Sequence, residues 1–502
     1  MLRYFFPRFS LSLLLIFMFP SLGECQDIPK QENLPSSDIN TRLQLNNSSD
    51  ELELNLADAV YLALHNNRDL KIAYLQRMIS QKDLAESESQ FNPTFTPELS
   101  LNFNNNHNGD NLNNNMNASL GANLNFKMPT GGEISLRWQG QNNLSRNRGL
   151  DSYSEANSLG QNMSLNVSQP LLRGFGTELN TLNIQRARLT EKSNVLDLKN
   201  TISQRITATI SSYRNLLLAQ EQLKIEKLSF ANSQKDLERL QALFEFGRIA
   251  RNDLVERQAN IAQQEVNLVN TQGRLETAIS ALIQIIDLPV SKKLIAIETP
   301  TPPTSLNLIS FPEMLELALT NNSGYLGAIN SVENAKFGIR EARNQQQLDL
   351  RLNFGYGFNS ASNTQDSGSL NSSLTLSREL GNMSQDNAVE KSNINLQVAN
   401  YSLEKTKINL EEELKSIVRN VQDSFQQIKL AEQARELAAT NVINAKERMR
   451  LGSNISMTDI INFEKSLVDA QNQELTAIIT HLNSMTELEQ FLGLTVNKWV
   501  KE

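Results

Sequence analysis

Three histidines, one cysteine and scattered carboxylates are the groups from which a catalytic or metal centre would have to be built. His65, His107 and His481 stand far apart, and none has a second ligand at a metal-binding spacing. Cys25 is the sole cysteine, which excludes an intrachain disulfide framework and a cysteine-based zinc cluster. Serine, histidine and aspartate all occur, yet no nucleophile motif surrounds any serine and no glycine-rich phosphate loop is present. Asp253 and Glu256 are three apart, which puts both on one helix face, the usual arrangement of solvated surface charge. No enzyme is expected, and no cofactor or bound metal.

The elements that would position any site begin with an export signal. Arg3 and Arg8 flank the start of an apolar run, Phe9 to Phe19, followed by Pro20, Ser21 and Gly23, the order of a secretory signal over residues 1–23. About 11 apolar residues are too few for a spanning helix, which needs about 20, so the mature chain is expected to cross no membrane as a helix. Leu22-Gly23-Glu24-Cys25 resembles a bacterial lipoprotein signal, although Glu24 stands where such signals want a small residue. Cys25 is thus either an acylation site or a lone thiol, and residues 24–50 read as a flexible start. With 502 residues, 39% hydrophobic, 20% charged and a net charge of -8, the composition does not suggest a nucleic-acid partner.

Self-comparison organises the rest of the chain. Leu56-Ala-Asp-Ala-Val-Tyr-Leu-Ala-Leu-His-Asn-Asn67 reappears as Phe311-Pro-Glu-Met-Leu-Glu-Leu-Ala-Leu-Thr-Asn-Asn322, an offset of 255. Phe246-Gly247-Arg248-Ile249 reappears as Leu451-Gly452-Ser453-Asn454-Ile455, with an offset of 205. The first copy therefore carries about 50 extra residues between its opening helix and its glycine turn. The expected layout is a first repeat over 51–290, a linker over 291–308, a second repeat over 309–495 and a tail over 496–502.

Within each copy the apolar period changes in the same order. A helical pattern from Leu56 to about Ser89, with Asn55 as N-cap, gives way to alternation at Phe95, Pro97, Leu99, Leu101 and Phe103. Alternation returns at 118–126, 134–138 and 163–167 in copy one, and at 350–358 and 370–376 in copy two. Residues 117–142, with a tight Pro129–Gly132 turn, form an extra hairpin in copy one, and polar loops are expected at 104–117, 142–161 and 359–368. From about Thr177 to Phe246 apolar residues recur at three-and-four spacing without a proline, a coiled-coil seam of roughly 105 Å at about 1.5 Å per residue. A second helix runs from near Asn252 to Ile286, and copy two repeats this hairpin about Gly452.

Strands with one apolar and one Asn- and Ser-rich face match the alternation of an outer-membrane barrel, which must be closed because lipid tolerates no unpaired edge. One chain supplies too few strands for a wide barrel, so closure requires several copies. The order of helix, strands and helical hairpin, twice over, resembles the TolC family of outer-membrane efflux proteins. The likeness rests on the Leu56-Ala-Asp-Ala opening, on Ser168-Gln-Pro-Leu-Leu-Arg-Gly-Phe-Gly176, and on the glycine turns with Asp253 and Asp459 downstream. It covers residues 52 to 495.

That resemblance implies an α+β membrane protein: a homotrimer whose β-barrel, with four strands per protomer and possibly six, continues into a long periplasmic coiled-coil barrel. With twelve helices below it, four strands per protomer fit best, leaving the extra hairpin as an extracellular ribbon. It further implies a passive outer-membrane duct serving a periplasmic adaptor and an inner-membrane pump, in efflux or type I secretion. The adaptor-docking tips would be Gly247, Arg248 and Ile249, with Gly452, Ser453, Asn454 and Ile455. The pore constriction would involve Asp459 and Asn462, with Asp253 and Glu256 as the copy-one counterparts. A three-fold ring of Asp459 carboxylates would select cations and raise its own pKa. The alternative from another class is a coiled-coil scaffold, periplasmic or at the surface, whose strands pack as a small soluble domain.

Overall fold

The computed structural model describes residues 51–109, 111–148, 153–288, 293–362, 364–379, 381, 383–451 and 455–500. The expected signal, the 24–50 segment and Cys25 lie outside the described residues, as do Gly452, Ser453 and Asn454. Strand β1 (Glu51–Leu54) leads into helices α1 (Leu56–Asn66) and α2 (Arg68–Glu88). Asn55 caps α1 as expected, its side chain accepting from the Asp58 N–H at 2.7 Å. The single helix expected over 56–89 is instead two, because Asn67 takes an extended backbone and its side chain caps α2 through the Asp69 and Leu70 N–H groups. Asn322 makes the same break between α6 (Phe311–Asn321) and α7 (Ser323–Gln345).

Four strands follow α2: β2 (Thr94–Asn108), β3 (Asn111–Lys127), β4 (Glu133–Arg148) and β5 (Tyr153–Pro170). After α7 come β7 (Asp349–Ala361) and β8 (Thr364–Ser377). They form one antiparallel sheet in the order β2-β3-β4-β5-β7-β8. Among the described residues this sheet has six strands, the larger of the two numbers expected. The 117–142 hairpin is no separate ribbon, since β3 and β4 pair along their whole lengths with each other and with β2 and β5. The polar loops expected at 104–117, 142–161 and 359–368 are mostly strand. Asn104, Asn105 and Asn106 simply continue the ladder opposite Asn115, Asn114 and Asn113, where the apolar alternation used to locate the strands has stopped.

The β3–β4 turn is held from below by the Ser168–Gly176 segment. Gly131 has φ +91, and a Cβ there would be driven into the Gly174 carbonyl and the Asn180 amide. Thr130 donates to Gln169 at 3.2 Å, and its carbonyl accepts from the Gly176 N–H at 3.1 Å. The extra hairpin is thereby stapled to the point where β5 hands over to the helices.

After a single turn, α3 (Thr177–Asn180), α4 (Leu182–Glu245) runs 64 residues and folds back as α5 (Arg251–Ile286). In the second half, α8 (Ser384–Arg450) runs 67 residues and folds back as α9 (Met457–Phe491). At about 1.5 Å per residue each long helix spans roughly 100 Å. No described helix is long and apolar enough to cross a membrane.

One core cluster joins the middle of α4 to the end of α5. There β1 pairs in parallel with β6 (Lys293–Ala296), and Leu54, Leu62, Leu216, Leu282 and Ile286 pack together. Tyr213 is fully buried and donates to the Leu54 carbonyl at 3.0 Å. Residues 293–296 of the expected linker are therefore strand, and Glu298 beyond it accepts from the Leu56 N–H at 3.0 Å. The expected tail begins inside a short helix, α10 (Thr495–Trp499), whose Trp499 packs on the Val60 and Ile206 cluster.

Candidate functional site

The sheet divides its side chains by face. In register across the strands, Phe95, Leu124, Leu136, Leu165, Tyr356 and Leu370 lie on one face, as do their alternate neighbours from Pro97 to Phe103 and from Leu350 to Phe358. Much of this face is bare: Leu99 is 72% and Phe103 73% exposed. Transfer from water of one such side chain is worth about 1.5–3 kcal/mol, so a face of this extent requires a cover. The opposite face carries amides, hydroxyls and glycines. Ser100 and Ser119 hydrogen-bond at 2.6 Å, Arg137 donates to Asn123 at 2.6 Å, and Ser168 donates to Asn353 at 2.9 Å. Nine residues from Phe95 to Phe103, at about 3.3 Å each and tilted about 45°, give an apolar band roughly 21 Å tall, near that of outer-membrane barrels.

The chain is open at both sides. Among the described residues β2 and β8 each pair on one side only, and in the adjoining helical layer α2 packs on α4, α4 on α7 and α7 on α8. The two outermost helices present apolar stripes: Ile72, Leu75 and Ile79 on α2, and Ile394, Val398 and Tyr401 on α8 are all exposed. Further along, Val266 and Val269 on α5 face outward, as do Leu430 and Leu437 on α8.

At the far end the two hairpin tips lie together. The α4–α5 turn is closed by the Gly247 N–H to the Phe244 carbonyl at 2.8 Å and the Arg248 N–H to the Leu243 carbonyl at 2.9 Å. Gly247 has φ +69 with open space around it, so its requirement is conformational. Phe246 and Arg248 are exposed, while Ile249 and Ile455 are half-buried. Thr458 of α9 donates to Glu256 of α5 at 2.8 Å, which brings the two candidate constriction segments into contact. Asp253 is half-buried and Asn462 exposed.

Asp459 is committed locally. Ser456 and Asp459 form a capping box at the start of α9, with Asp459 accepting from the Ser456 hydroxyl at 2.7 Å and N–H at 3.1 Å. These hydrogen bonds hold its carboxyl below the usual range, aided by Arg448. Within one chain the shift is thus opposite to the rise expected of a carboxylate ring, because the nearest charged and polar groups here are donors.

A charge cluster that the sequence reading missed lies just behind the tips. Arg257 is 1% exposed and donates to Glu464 at 2.8 Å, with Asp236 at 3.7 Å. Lys446 reaches the same two carboxylates, at 2.8 and 3.4 Å. The four residues come from α4, α5, α8 and α9, one from each. Charges recur along every helix, so nothing in one sequence marks these four. Above the cluster opens a groove of about 510 Å³, lined by Leu240, Ile249, Met449 and Ile460 and rimmed by Arg239, Arg248 and Arg450.

No family model matches the sequence. The alkaline protease secretion protein AprF of Pseudomonas aeruginosa is 21% identical over 305 residues, covering 58% of this chain and 61% of AprF. The match thus spans about three fifths of that relative's length. Among solved structures, CusC, studied for its transmembrane channel formation, has a TM-score of 0.66 at 16% identity and covers 87% of this chain and 91% of its own. The CmeC outer membrane channel of Campylobacter jejuni has a TM-score of 0.62 at 16% identity, covering 88% and 86%. The open state of the MtrE outer membrane channel of Neisseria gonorrhoeae has a TM-score of 0.57 at 16% identity, covering 87% and 88%. The strand-and-hairpin order, the apolar sheet face and these likenesses agree: the chain has the fold of the TolC-type outer-membrane channels that its motifs resemble.

Proposed function

We propose that the chain is the outer-membrane channel component of a tripartite efflux or type I secretion system, passing cargo from an inner-membrane pump and periplasmic adaptor to the exterior. The observation that carries this is the sheet: an exposed apolar face continuous across six strands, a polar opposite face, and two unpaired edges. In water such a sheet is unstable. In an outer membrane, with the apolar face toward lipid and the edges closed by neighbouring copies, every group is satisfied.

Three copies close the ring in this reading. The β8 edge of one protomer takes the β2 edge of the next, and the α2 and α8 stripes meet beside them. Six strands per protomer then give eighteen in the barrel, a size that leaves an aqueous channel. The long helices continue the wall into the periplasm, and a duplicated protomer supplies both hairpins. Gly247, Arg248 and Ile249, with Gly452 to Ile455, form the adaptor-docking tips. Asp459, Asn462, Asp253 and Glu256 line the constriction just inside them. Cys25, if acylated, adds a lipid anchor.

The competing scaffold reading explains the helices but leaves the apolar sheet face uncovered. Extraction separates the two. The channel reading predicts that the protein leaves the envelope only with detergent and has the mass of three chains by native mass spectrometry. A monomer released by salt alone would support the scaffold.

A further inference from the structure

The two faces of the sheet differ in where they carry charge. On the polar face, charges stand at the helical end of the strands in opposite-sign pairs, Lys127 across from Glu133 and Arg351 beside Asp349 at 3.7 Å. Glu98 and Arg137 follow one row apart, and Arg137 is held by Asn123 at 2.6 Å. Beyond Glu98, toward the hairpin turns far from the helices, strands β2 to β5 place no charged side chain on this face among the described residues. Asn102, Asn117 and Asn143 stand side by side in one row there, and Asn106, Asn113 and Asn147 in another. All six are half-buried or exposed, and their amides make no side-chain hydrogen bond among the described residues. At the same level the other face holds Arg146 and Glu155, paired at 3.1 Å. Charge is therefore excluded from one face, not from this stretch of chain.

Each asparagine amide offers both donors and an acceptor. Neighbouring strands about 4.8 Å apart, with same-face residues about 6.7 Å apart along each strand, set these amides in a regular lattice. An ionic cargo finds no countercharge on that wall, and an apolar one finds no apolar patch. An unfolded polypeptide brings both kinds of side chain. A sugar chain instead presents hydroxyls along its whole length, each able to donate to an amide carbonyl and accept from an amide N–H. We infer that the polar face from Asn102 outward is a transit surface for a neutral glycan chain. The inference rests on the channel reading, which turns this face to the barrel lumen and its hairpin turns to the mouth. Contacts of this kind are weak and repeated, so a chain is held enough to enter and loosely enough to leave.

The test is single-channel recording of the full chain in a planar bilayer with neutral linear dextran. Polyethylene glycol of equal hydrodynamic size, which lacks hydroxyls along its chain, is the control. Dextran is expected to give reversible blockades that last about tenfold longer than those of polyethylene glycol. In an Asn117→Leu, Asn143→Leu double variant, whose discrete steps show that it has assembled, that difference disappears. In Asn117→Gln, Asn143→Gln it persists, and Asn106→Leu, Asn147→Leu replaces the first pair if that pair does not assemble. With Asp459→Ala, which removes the constriction carboxylates of the channel reading, dextran blocks from the tube end as well as from the mouth. Equal dwell for both polymers, a dwell unchanged by leucine, a longer dwell for an unfolded charged peptide of the same length, or blockade from the mouth alone would each overturn the inference. A channel that conducts without these blockades sinks this inference only, whereas the absence of any conductance step sinks the channel reading with it.

Discussion

Arg257 illustrates why a buried cation is costly to disturb. Its guanidinium is out of water and neutralises Glu464 and Asp236, so removing it leaves two carboxylates with one lysine in a partly dry site. Breaking such a pair typically costs about 3–5 kcal/mol, whereas surface pairs such as Lys336–Glu333 are worth about 0–1 kcal/mol. Arg257→Met is therefore expected to loosen the tips by a few kcal/mol, read as faster amide exchange in residues 236–260 and 446–464, with the sheet unaffected. His481 gives a second residue-scale prediction. It is buried beside Phe425 with its Nδ1 3.1 Å from the Ser424 hydroxyl, and burial pushes its pKa down. A histidine kept neutral in the fold stabilises it fully above the unfolded pKa of about 6.5 and loses that contribution as pH falls below it. Thermal unfolding of the helical layer should therefore drop to lower temperature below about pH 6.5, and His481→Gln should flatten that dependence.

At the scale of elements, the extra hairpin is the part that distinguishes this sheet, and one glycine tests its anchoring. Gly131→Val forces a β-branched residue into positive φ and against the Gly174 carbonyl. Strain of this kind costs about 1–3 kcal/mol before the clash is counted, so the variant should lose heat resistance of its assembled form on gels, while Gly176→Ala, where space is open, should lose less. The same hairpin shows what was legible. Period-two runs located all six strands of the antiparallel sheet but not β1 and β6, and the Pro129–Gly132 turn was visible as turn chemistry. Strand ends were not, because asparagine on both faces breaks the apolar alternation without breaking the ladder. The division of α1 from α2 was missed for a related reason: Asn67 continues a helical pattern yet acts as a cap. The first coiled-coil hairpin was readable nearly to the residue, since its spacing persists over more than sixty positions, whereas the start of α8 at Ser384, well before the seam read from Leu410, was not.

For the whole molecule, the proposed function turns on the two open edges of the sheet. The glycine turn at Gly247 was legible as a motif, but the capping box of Asp459, the contact between Thr458 and Glu256, and the Asp236, Arg257, Lys446 and Glu464 cluster needed the fold to bring them out. In the proposed reading a chain with apolar stripes on both flanks and an apolar sheet face serves as one wall segment of a duct, and that reading stands or falls on conduction. The most direct measurement is single-channel conductance of the purified protein in a planar bilayer, wild type beside Asp459→Ala. The account predicts discrete, cation-selective openings from the wild type and larger, less selective ones from the variant. A protein that stays dispersed without detergent and gives no conductance step would contradict it.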